Sequence, residues 1–193
     1  MPEHVSPRLP LLAAALLVAG CTNAGPGTPP RASISLPPDV AESGQDPIRA
    51  AVLNTSYQFS NVGNLAGRPA DAAQAVAEYE YLASDLAASP RWRHVNPLIV
   101  PQLAEGLKEL RPAVGIAPDA PAQAVVTALY AAARALRQGD QMAAERALSA
   151  PAFTGGGRAT LQRLGALPPM PRVASAALLA EREIMRPDER SRR

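Results

Sequence analysis

A chain of 193 residues with 19 basic and 17 acidic side chains has a net charge of +2, so no polyanionic partner such as nucleic acid is implied. Hydrophobic residues reach 47% while aromatics make up only 4%, so the apolar faces are built from Ala, Leu and Val, which favours close-packed helices over sheets. Once a leader and a linker are set aside, one domain of roughly 140 residues around a single core is expected.

Met1 to Pro10 is polar with one arginine, Arg8, and gives way to an apolar run from Leu11 to Val18. That is the layout of a secretory leader over residues 1–20. Even extended through Gly20 the stretch holds about ten residues where a membrane-crossing helix needs about 20, which predicts removal rather than a retained span. It ends in Leu17-Val18-Ala19-Gly20-Cys21, small residues set directly before the only cysteine of the chain, which therefore forms no intramolecular disulfide. This stretch resembles the lipobox of bacterial lipoproteins, and the resemblance covers only the N-terminal residues up to Cys21. It implies that Cys21 carries a diacylglyceryl group and an N-acyl chain, that no other cofactor is needed, and that these chains tether the protein to a membrane. Two or three chains on one residue hold durably where one binds marginally. Thr22 follows the cysteine where aspartate is the family's inner-membrane retention signal, so the resemblance implies the outer membrane of a Gram-negative envelope, facing the periplasm.

Residues 21–45 contain Pro26, Pro29, Pro30, Pro37 and Pro38 with Gly25, Gly27 and Gly44, and show no sustained period. They read as a tether of about 27 Å if flexible and up to about 75 Å if polyproline-like, enough to lift a domain clear of the headgroups. From Asp46 the pattern becomes helical. Asp46-Pro47 is an N-cap and first-turn proline, and Ile48, Val52, Thr55 and Phe59 share one face of a helix over 47–61. A second helix opens at Pro69 with Ala72, Ala75, Val76, Tyr79, Leu82 and Leu86 inward. Asn96-Pro97 starts a third, with Ile99, Leu103, Leu107, Leu110 and Val114 inward, a kink expected at Pro101 and an end at Gly115 or Pro118. Asp119 opens a fourth, which stops at Gln138-Gly139, and Asp140 caps a short fifth. The stretch Ala128 to Leu148 resembles a tetratricopeptide-type hairpin, but no second copy recurs at about 34 residues, so it reads as an ordinary helical hairpin. Helices over 157–167 and 172–186 follow, and 188–193 is a frayed basic tail. The expected fold is all-α, a compact bundle of six or seven helices over 46–187 with no strands.

No catalytic constellation emerges. His4 leaves with a removed leader, so His94 alone would have to serve a triad, and a lone histidine without a free thiol leaves no transition-metal site. Glu78, Glu80 and Asp85, with Glu181 and Glu183, are expected on solvated faces. The loop carrying Arg91, Trp92, Arg93 and His94 is the candidate partner-binding site, because Arg and Trp are enriched at binding hot spots. Thr154-Gly155-Gly156-Gly157-Arg158 precedes a helix but lacks the lysine and spacing of a phosphate loop, and reads as a flexible turn. The expectation is a non-catalytic envelope component that binds another protein. The alternatives are a small-ligand or lipid binder, which needs an apolar cavity between helices, and a carboxylate-dependent cell-wall enzyme, which needs an acid with a raised pKa in a cleft.

Overall fold

The computed structural model describes residues 34–41, 44, 46–88 and 96–186. The leader, the lipobox Leu17 to Gly20, Cys21, the loop from Arg91 to His94 and the C-terminal tail lie outside the described residues. The described residues form an all-α bundle: α1 (Pro38–Ala41), α2 (Pro47–Ser60), α3 (Pro69–Ala88), α4 (Ile99–Val114), α5 (Ala122–Arg137), α6 (Gln141–Ala147), α7 (Gly156–Gly165) and α8 (Pro171–Ile184), with a 3-10 turn at Val62–Asn64.

Local chemistry explains most boundaries. The Asp46 carboxylate accepts the Ile48 amide at 3.0 Å and Asp140 accepts that of Ala143 at 2.8 Å, so both caps work as their side chains suggest. Gly115 ends α4 at φ 87, a left-handed conformation that a side chain would disfavour. The start of α5 differs from expectation. Asp119 lies in a turn and the helix begins at Ala122, because Pro121 disfavours helical geometry at the residue before it. The expected disruption by Pro101 also has no cause: this residue falls in the first turn of α4, where amides lack an intrahelical partner anyway. The proline inside that helix is Pro112.

The centre of the bundle is α3, which packs most extensively on α5 and also on α2, α4 and α7. Its buried residues include Ala72, Ala75, Val76, Tyr79 and Leu82 on the expected face, but also Ala73, Ala77, Glu78, Glu80 and Tyr81 on the others. Tyr79 meets Phe59 edge-on at 6.0 Å and donates to the Leu103 carbonyl at 3.3 Å. Its hydroxyl occupies the place where a Cβ on Gly106 would sit, which accounts for a glycine in the interior of α4. The small side chains of α3 let neighbouring helices approach closely on several sides, and α8 then closes the bundle against α2 and α4.

Two loops are joined by a single bridge between Ile116 and Phe153, extended by Thr154 N–H donating to Gly115 O at 2.9 Å. Within the stretch read as tether, the short Ile34 to Leu36 segment packs on the domain. Ile34 and Leu36 are buried in the core cluster, and the Gln123 side chain accepts the Ser35 amide at 2.9 Å and donates to its carbonyl at 3.0 Å. Apolar side chains spaced two apart suffice to dock an extended segment, despite the prolines that follow.

Candidate functional site

Two acidic residues of α3 are buried rather than solvated, which corrects the expectation for them: Glu78 is 4% exposed and Glu80 0%. The cause is the position of α3, which neighbouring helices cover on several sides. Glu80 is met by Arg111 of α4 in a bidentate pair, Nε to Oε1 and Nη2 to Oε2, both at 2.8 Å. The remaining nitrogen, Nη1, donates to the carbonyls of Pro118 at 2.8 Å and Ala120 at 3.1 Å. One guanidinium therefore neutralises a buried charge and also fixes the loop between α4 and α5.

Glu78 has no such partner. Its Oε2 accepts from Asn54 Nδ2 of α2, and its Oε1 accepts from Gln74 Nε2 at 2.8 Å and from the Tyr130 hydroxyl of α5 at 3.4 Å. Burial raises its pKa above the usual carboxylate value; the donated hydrogen bonds and the more distant Arg137 guanidinium act in the opposite direction. Burial, and then the Glu78 charge, push the Tyr130 phenol up as well. Arg137 itself is held at the rim by Gln74 and Asp71. The cluster can hold a proton at Glu78, but both carboxylate oxygens are already occupied by donors from three helices.

Glu181 and Glu183 are half-buried and stand apart from this cluster. Glu181 accepts from the Ser56 hydroxyl, joining α8 to α2, and Glu183 pairs with Arg186 at 2.7 Å. Asp85 is also half-buried. The glycine run at the start of α7 is a packed turn rather than a flexible one. Gly156 has φ 73, and a Cβ on Gly157 would overlap the Glu145 carbonyl of α6. Close helix approach explains these glycines without an anion.

Among the described residues, two of the surface grooves are notable, neither lined by Glu78. One of about 420 Å³ runs along α4 past Leu107, Lys108 and Arg111 to Pro118; the other, about 350 Å³, lies between the end of α2 and the start of α8 beside Phe59 and Met170. Among the described residues no group of three or more His, Cys, Asp or Glu is placed to hold a metal ion, and no helix is long and apolar enough to cross a membrane.

Sequence reasoning missed a surface formed by α2 and α8. Leu53 and Tyr57 on α2, Leu178 on α8 and Met185 just past its end are large hydrophobic side chains left exposed. The available signal was the four-residue spacing of Leu53 and Tyr57 opposite the apolar face of their helix.

Compared with known proteins, the chain matches no protein-family model, no curated protein and no solved structure.

Proposed function

We propose that this protein is a lipoprotein of the cell envelope, acylated on Cys21 and held at the periplasmic face of the outer membrane, whose helical domain is a non-catalytic component that binds another envelope protein. The observation that carries the reading is Leu17-Val18-Ala19-Gly20-Cys21 at the end of an apolar run, with Cys21 the only cysteine in the chain. Acyl chains on that residue supply anchoring without a membrane-crossing helix. A domain core filled by Ala, Leu and Val side chains among the described residues supports a binding or structural role over a ligand carrier.

One observation favours the carboxylate-enzyme reading: Glu78 is buried and its pKa is raised. Against it, both oxygens of that carboxylate are engaged by Asn54, Gln74 and Tyr130, which suits a polar tie between α2, α3 and α5.

Cys21→Ala tests the anchor. The parent protein should lose its leader and sediment with membranes, whereas the variant should keep the leader uncleaved. A variant cut at the same bond and still recovered in the membrane pellet would refute the proposal.

A further inference from the structure

The outward faces of α2 and α8 form one surface. The two helices run antiparallel, since Arg49 at the start of α2 lies against Met185 just past the end of α8, while Phe59 near the end of α2 shares a groove with Met170 and Ala174 at the start of α8. The Ser56–Glu181 hydrogen bond marks the seam between them. Arg49, Leu53 and Tyr57 recur every four residues on α2, and Leu178 and Arg182 on α8 with the helical C-cap Met185 follow at four and three, so each set forms a row along its helix. Both rows lie on the solvent side of the seam, opposite the core residues Val52 and Phe59 on α2 and Val173 and Ala177 on α8. Tyr57 is 62% exposed, and Leu53, Leu178 and Met185 are each at least 40% exposed. The other two large exposed hydrophobics among the described residues, Leu98 and Met142, lie on or beside other helices, so the clustering belongs to this face. Neither Arg49 nor Arg182 is paired with a carboxylate among the described residues.

We infer that this face, built from Leu53, Tyr57, Leu178 and Met185 with Arg49 and Arg182, docks on anionic lipid headgroups of the membrane that holds the protein. The inference rests on the lipid anchor proposed above. The chemistry fits: apolar side chains enter the boundary between headgroups and acyl chains, the tyrosine hydroxyl stays at headgroup level, and the guanidiniums take up phosphate oxygens. The tether selects lipid over an acidic protein partner. Ile34 is already packed on the domain, so only residues 22–33 separate it from Cys21. Twelve residues reach no further than about 43 Å, comparable to the roughly 40 Å breadth of a domain this size. A surface held that close sees its partner at an effective concentration in the millimolar range, so a modest patch is enough, and the bilayer is the one partner every copy has.

The test uses the mature, acylated full chain inserted in vesicles. Since the native thiol is acylated, Leu53→Cys, Leu178→Cys or, as a control, Met142→Cys each gives a unique site for a nitroxide label, with helicity checked by circular dichroism. Collision with a water-soluble paramagnetic reagent should be suppressed at positions 53 and 178 in phosphatidylglycerol-containing vesicles, restored in pure phosphatidylcholine and restored by Arg49→Glu with Arg182→Glu. Position 142 should stay accessible throughout. Vesicle-bound protein with positions 53 and 178 open in both lipids overturns the docking while leaving the anchor standing. Protection that grows with protein density at fixed lipid composition assigns the face to a second copy and overturns it too. Acylated protein that fails to stay with vesicles of either kind sinks the anchor and the docking together.

Discussion

Two glutamates two residues apart on α3 meet burial in different ways. Glu80 is neutralised by Arg111 at hydrogen-bond distance on both oxygens, whereas Glu78 has only amides and a phenol as direct donors. Its raised pKa gives a sign to the pH dependence of stability. At and below 4.5, the ordinary value, the folded chain holds its proton at least as well as the unfolded chain. As pH rises above that value the unfolded chain releases the proton first, the folded chain then binds more protons, and stability falls until the folded carboxyl ionises too. Glu78→Gln removes this slope. Denaturation across a pH series should show the glutamine variant gaining on the parent as pH rises through this window and then holding a constant advantage. A difference independent of pH would contradict the assignment. The presence of these acids was plain in the sequence but their burial was not, because Ala and Tyr on the remaining faces of α3 do not distinguish a half-exposed helix from a central one.

At the scale of elements, Arg111 ties α3, α4 and the loop leading to α5. Removing it leaves Glu80 charged and fully buried, so Arg111→Ala should destabilise the domain by about 3–5 kcal/mol in urea titration. Replacing both partners, Glu80→Leu with Arg111→Met, should recover most of that loss, because no uncompensated charge remains. A double variant as unstable as the single one would show that the loop carbonyls, not the carboxylate, are what Arg111 serves. Elements with a local chemical signal were legible in the sequence: Asp46-Pro47, Asp140 and Gly115 mark the ends where they were expected. Where expectation and structure differ, one cause is distant and one is local. Docking of Ile34 and Leu36 needs the surface that Gln123 helps present, and the onset of α5 turns on Pro121 more than on the acidic residue before it. The bases proposed for function, Cys21 with its preceding residues and Arg91 to His94, lie outside the described residues, so the structure adds the α2 and α8 surface rather than a geometry for those sites.

For the whole molecule, the packed start at Ile34 changes what the linker can do. A tether from Cys21 to the domain proper was expected to hold the bundle clear of the bilayer; with Ile34 and Leu36 buried and α1 following, the proposed anchor would keep the bundle within roughly its own breadth of the headgroups. Under the proposed anchor, location and surface chemistry are coupled: acylation of Cys21 would both fix the protein in the envelope and set the concentration at which its exposed helices meet lipid. All of this depends on the chemical state of one residue. Mass spectrometry of the N-terminal peptide of the protein purified from membranes tests it most directly. The account predicts a chain that begins at Cys21 and carries a diacylglyceryl thioether with an amide-linked acyl chain. An unmodified thiol at that position, or a mature chain beginning anywhere else, would contradict it.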